Sequence, residues 1–186
     1  MELTYNPTIQ IAFPQPAWQV LVGHCRRKLA RDFLPAEPPE PKAFGLVAGI
    51  LAGERLEIKQ VFPLLKNARA QAPYKQYMDT VMGQHAIPSE TPLANRGWVA
   101  DPSELLQIRR ACKQQGCTLI GTYHMHRLAW DHDRERDTPT ELDTILAKGS
   151  RMYMFIVSMV TPERPVMRAY FEGVQELENP IHFSEI

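Results

Sequence analysis

The sequence has no excess of either charge: Lys+Arg number 21 and Asp+Glu 21, a formal net charge of zero. A chain that binds nucleic-acid phosphates through bulk charge carries a basic surplus, so this balance argues against a nucleic-acid partner. Cysteine is scarce. Cys25, Cys112 and Cys117 are odd in number, and four residues separate the last two, which suits neither a disulfide framework nor a Cys-x2-Cys zinc site. They read as buried free thiols. No apolar run approaches the ~18 residues that a bilayer span requires. Met1 to Pro7 lack the basic and apolar stretches of an export signal. The expectation is therefore no membrane partner and a cytoplasmic location. Internal repeats are missing too. At 44% hydrophobic and 23% charged, residues 1–186 have the composition of a single globular domain rather than of a disordered, collagen-like or coiled-coil chain.

Proline, by contrast, is plentiful, with 16 residues. Residues 34–41, Leu-Pro-Ala-Glu-Pro-Pro-Glu-Pro, read as a stiff extended connector. Before it, Trp18, Leu21, Val22, Cys25 and Leu29 recur at helical spacing and predict an amphipathic helix over 16–33. Arg26, Arg27, Lys28 and Arg31 fall largely on its other, solvated faces. After the connector, the apolar run 44–51 suits a strand buried on both faces, and the alternation over 56–62 suits its antiparallel partner. Residues 66–97 are polar, rich in turn residues and without clear period, and read as a long loop forming a rim or lid. Asp101 and Pro102 open a helix that Gly116 closes. Residues 117–123 form the next strand, 138–149 a helix capped by Thr138 with Pro139 and Glu141 in its first turn, and 152–160 and 166–171 a hairpin. The class is α/β or α+β, a mixed sheet flanked by helices.

The sharpest chemical signal is His124-Met125-His126. Alternate residues of a strand point to one side, so both imidazoles can converge on one ion at the strand's end. Asp143 is the natural third ligand, one turn inside the following helix and on the same face as Thr140. Two histidines and one carboxylate make an open zinc site with a position left for water. His24, His85 and His182 have no partner spacing and read as structural or solvated, and Trp98 as a packing residue.

With these residues in place the chain resembles the JAMM metalloproteases, the JAB/MPN domain, through His124-Met125-His126 and Pro139-Thr140-Glu141-Leu142-Asp143. The likeness extends in order over the Gly45-Leu46-Val47-Ala48-Gly49 strand, Pro63-Leu64 to Asn67, Asp101-Pro102-Ser103-Glu104 and Leu119-Ile120-Gly121-Thr122-Tyr123. It implies a cytidine-deaminase-like fold and a zinc-activated water that hydrolyses peptide or isopeptide bonds. His124, His126 and Asp143 would hold Zn2+, and Thr140 would support the oxyanion. Three positions depart from the pattern. Thirteen residues separate His126 from Thr140, more than is usual, and Arg127 replaces the customary proline. Lys42 occupies the place of the catalytic glutamate. Glu40 lies two residues earlier and is the alternative general base.

Two functions follow from the resemblance. One is a zinc metallopeptidase or isopeptidase acting on peptides or the tails of ubiquitin-like carrier proteins. The other is a catalytically silent MPN-like module that works by association with a protein partner or a second copy of itself. Lys42 favours the latter, with Arg26, Arg27, Lys28 and Arg31 as its docking face.

Overall fold

The computed structural model describes residues 3–89 and 91–184. The chain enters through strand β1 (Gln10–Pro14) and turns directly into helix α1 (Gln15–Leu29), whose first turn holds a proline where no N–H is needed. Strands β2 (Phe44–Ala52) and β3 (Arg55–Pro63) form an antiparallel hairpin around Gly53, which takes the left-handed φ of 62° that the turn requires. Helices α2 (Tyr74–His85) and α3 (Pro102–Gln114) precede strand β4 (Thr118–His126). The chain then passes through helix α4 (Glu141–Ala147) to strands β5 (Tyr153–Ser158), β6 (Val166–Phe171), β7 (Glu178–Asn179) and β8 (Ile181–Ser184). All eight strands share one sheet in the order β7-β6-β5-β4-β2-β3-β1-β8. Its pairings are mixed: β4 runs parallel to β5 across the α4 connection, while β2 pairs antiparallel with both β3 and β4. The architecture is α+β. None of the described helices is long and apolar enough to cross a membrane.

Strand pleating divides the interior into separate cores. On one face, Val47, Ile58, Tyr123, Met125 and Phe155 pack with Leu21, Val22 and Cys25 of α1. On the other, Leu46, Ala48 and Leu64 pack with Ile108 and Cys112 of α3, while Met154, Ile156 and Tyr170 pack beneath Ala147 of α4. All three cysteines are free and buried, as expected. Gly45 is required where β2 meets β4. A Cβ there would lie 2.1 Å from the Tyr123 ring and 2.6 Å from the Phe62 carbonyl oxygen, and Tyr123 is fully buried and cannot retreat.

Several sequence expectations are corrected. The stretch 66–97 is not a loop throughout. Met78 and Met82, one turn apart, are buried and fold Tyr74–His85 as α2, a helix without a side-chain N-cap and therefore without a start signal. Buried Arg69 holds it in place, bonding Asp79 at 2.5 Å and the carbonyls of Lys75, Leu93 and Arg96. The helix after β4 is capped by Thr140 rather than Thr138, because the Thr138 hydroxyl is bonded to Asp133 instead. The connector is not extended: a turn bonds Glu37 N–H to the Leu34 carbonyl, and tight turns follow at Pro38–Glu40 and Glu40–Lys42.

That turn also corrects the reading of the basic helix face. Glu37 folds back onto α1, where Arg27 grips both its oxygens at 2.6 and 2.5 Å and fully buried Lys28 pairs with it at 3.2 Å. Arg26 donates to the Pro162 carbonyl. Arg27 and Lys28 are thus turned inward on one carboxylate, and the helix offers no continuous basic docking face. Burial alone would raise the Glu37 pKa, but Arg27, the Leu34 N–H and Lys28 together hold it down at about 2. Glu37→Gln strands Lys28 in the interior and is expected to cost about 3–5 kcal/mol, read as a lower urea midpoint near neutral pH. The wild-type contribution is complete above the carboxylate's ordinary 4.5 and is lost as pH falls towards about 2, so the variant's deficit shrinks across that interval.

Candidate metal centre

The site lies at the C-terminal end of β4, where it meets the first turn of α4. Tyr123 and Met125 point into the α1 core, so the pleat aims His124 and His126 at the opposite face. Their Nε2 atoms approach to 2.9 Å, and Asp143 Oδ1 lies 3.7 Å from His124 Nε2. The ligand atoms offered by His124, His126 and Asp143 all fall within 4.8 Å of one another, so the trio can hold a metal ion. Sequence reasoning placed these residues together, and the fold brings them together.

The donor set fits such an ion. Bonds of about 2.0–2.2 Å in tetrahedral geometry put neighbouring donors roughly 3.3 Å apart. The His–His pair would open by a few tenths of an ångström, and the His124–Asp143 pair would close by a similar amount. Each ligand is oriented from behind. His126 Nδ1 faces the Arg136 carbonyl at 2.8 Å; a carbonyl only accepts, so Nδ1 carries the proton and Nε2 is left as the donor atom. The His124 ring stacks on Phe44, its cross-strand partner, at 5.6 Å, and Phe44 stacks on Trp98 at 5.4 Å. Thr140 holds Asp143 Oδ2 through its N–H and its hydroxyl, both at 2.8 Å, while Asp143 N–H returns a bond to the Thr140 oxygen at 3.3 Å. This capping box engages Oδ2 and leaves Oδ1 towards His124.

The protonation states also suit metal ligation. Burial lowers the His124 pKa, opposed by Asp143 and reinforced by Arg136. Burial, then the His124 and Arg136 charges, bring His126 down to about 3. Burial would raise the Asp143 pKa, but both imidazoles and the Thr140 donors hold it below its ordinary value. Neutral imidazoles and an ionised carboxylate are the forms a divalent ion requires.

The remaining sequence candidates divide. Lys42 lines the groove of about 460 Å³ beside the ligands, together with Trp98, Met78 and Met82. Glu40 does not line it; its Oε2 accepts from Lys42 Nζ at 3.2 Å and Asn67 Nδ2 at 3.3 Å. Burial lowers the Lys42 pKa, with Glu40 opposing and Arg69 and Arg127 adding to the fall. The Thr140 hydroxyl proton is committed to Asp143, which makes Thr140 a positioning residue here. A smaller cavity of about 240 Å³ shares Phe44, Trp98, His124 and Asp143 with the main groove, so both open onto His124 and Asp143. Arg136 was missed by sequence reasoning, because a single arginine in a polar insertion carries no spacing signal.

No protein-family model matches the chain, and no curated protein matches it. Among solved structures, 116 chains do. One is the solution structure of protein DSY2949 from Desulfitobacterium hafniense, with a TM-score of 0.62 and 20% identity over 95% of this chain and 94% of that one. At that identity the likeness shows the fold alone.

His124→Ala is expected to remove stoichiometric metal from the purified protein, measured by elemental analysis. Thr140→Val frees the Asp143 carboxylate from its orienting hydroxyl and is expected to weaken metal binding about 10–100-fold, measured by chelator competition.

Proposed function

We propose that the chain is a zinc-dependent hydrolase of the JAB/MPN type that cleaves peptide or isopeptide bonds, with peptides or the C-terminal tails of ubiquitin-like carriers as substrates. The observation that carries this reading is the convergence of His124, His126 and Asp143 at a strand end that opens into a groove. Zinc bound there would polarise a scissile carbonyl and acidify water to a pKa near ~7. The chain's own residues do the rest. The Arg136 carbonyl fixes the His126 tautomer, the Phe44–Trp98 stack sets the His124 ring, and Thr140 aims Asp143. The two cavities that open onto His124 and Asp143 supply room for a substrate chain. Lys42 lines the groove as a cation paired with Glu40, from which a developing oxyanion would gain.

A second reading is favoured by one observation. Among the described residues that line the groove, Asp143 is the sole carboxylate, and Lys42 stands there where a hydrolase of this type is expected to keep its base. On that reading the metal centre is retained in a silent module that binds a protein partner. One comparison separates the two. Under the hydrolase reading, zinc-loaded wild type releases product from a peptide or carrier-tail substrate, and Asp143→Asn loses zinc and turnover together. A wild type that holds zinc but turns nothing over, with turnover appearing in Lys42→Glu, would establish the silent module instead.

A further inference from the structure

The inner half of the 127–138 insertion is tightly held. The Ser158 hydroxyl donates to the Glu135 carbonyl, His126 Nδ1 to the Arg136 carbonyl, and the Tyr170 hydroxyl to the Asp137 carbonyl at 3.1 Å. Arg168 pairs with Asp137 at 3.3 Å. Asp133 accepts from Arg136 N–H at 2.7 Å and from the Thr138 hydroxyl at 2.8 Å. Together these bonds keep Arg136 at a left-handed φ of 50° and bury its side chain to 9% exposure.

The Arg136 side chain lines the groove with two of its three guanidinium nitrogens lacking a hydrogen bond. Its Cζ lies 3.2 Å from the centre of the Trp130 ring. Nε and Nη1 are buried without any hydrogen bond, and the nearest Asp133 oxygen is 3.7 Å from Nη1, too far to accept one. With Asp133 at ion-pair but not hydrogen-bond distance, a guanidinium so short of water gains from an acceptor that completes its hydrogen bonds. The groove around it is cationic: Lys42, Arg96, Arg127 and Arg136 line it against Asp143 as the sole described carboxylate. Arg127 has no hydrogen bond or ion pair with the described residues.

We propose that Arg136 recognises the free carboxylate of the substrate, so that the bond cleaved is the last amide of a peptide or peptide-like conjugate and the leaving group is a C-terminal amino acid. A planar carboxylate matches the guanidinium fork in shape and charge. A phosphate dianion fits less well, because Asp133 and Asp143 already stand beside the site. The Arg136 carbonyl bonds His126 and its side chain lines the same groove as His124, His126 and Asp143, so a carboxylate held there lies beside the metal ligands. The position of the cleaved bond rests on the hydrolase reading; the anion subsite does not.

The test compares N-acyl dipeptides as free acids and as C-terminal amides, with zinc-loaded wild type, Arg136→Met and Arg136→Lys. Zinc content and thermal unfolding serve as controls for folding. In the wild type kcat/KM is expected to favour the acid ten- to hundredfold; Arg136→Met brings the ratio close to one, and Arg136→Lys restores part of it. A loss of folding alone would lower both rates and leave the ratio in place. Hydrolysis of acid and amide at equal rates overturns the proposal while the hydrolase reading stands. If neither is hydrolysed, calorimetric binding of an N-acetyl amino acid decides the subsite. Binding that needs both the carboxylate and Arg136 supports it, and equal binding of the amide overturns it. Tight binding of inorganic phosphate without carboxylate preference also overturns it.

Discussion

Tyr123 and Met125 are drawn into the α1 core by the hydrophobic effect, and the pleat of β4 then commits His124 and His126 to the opposite face. A slip of one residue in β4 would bury both imidazoles in the apolar core and expose the two large side chains. Tyr123 resists that slip. Its ring occupies the space that Gly45 leaves open, and its hydroxyl bonds to His24 Nδ1 of α1 at 2.7 Å. The register of a central strand thereby sets the geometry of the candidate metal centre.

Around this strand the ligands are held by groups that touch no ion themselves. The Arg136 carbonyl, the Phe44 ring and the Thr140 donors each settle one degree of freedom of one ligand. Their origins differ. Phe44 comes from the strand paired with β4, Thr140 from the first turn of α4, and Arg136 from an insertion pinned to β5 and β6 by Ser158 and Tyr170. The thirteen residues between His126 and Thr140 therefore do not loosen the site, since loop closure costs little with added length and these residues bond to neighbouring strands.

Much of this was legible in the chain, and what was not has identifiable causes. The hairpin of β2 and β3, the His-x-His strand and the β5–β6 hairpin all carry strong period-two or apolar runs, and they stand close to where the sequence places them. Helix α2 was hidden because most of its residues are polar and its apolar face is little more than Met78 and Met82. Strands β1, β7 and β8 are too short to show a period; β1 takes its structure from β3 and β8 on either side, and β7 and β8 from the strands they border. The basic cluster of α1 looked solvated because its partner, Glu37, lies in a proline-rich stretch that sequence rules read as extended.

At the site, residue types and spacing alone were enough to select His124, His126 and Asp143, since side-chain alternation on a strand and the rise of a helical turn are local geometry. Which of Glu40 and Lys42 faces the groove was a tertiary matter, decided by tight turns at 38–42 and by the bond from Asn67 to Glu40. So was the burial of Arg136, which depends on acceptors and walls contributed by distant strands. Local patterns encode where a side chain points within its own element. Only the packing of elements against one another determines which charges lose their water and which remain without a partner.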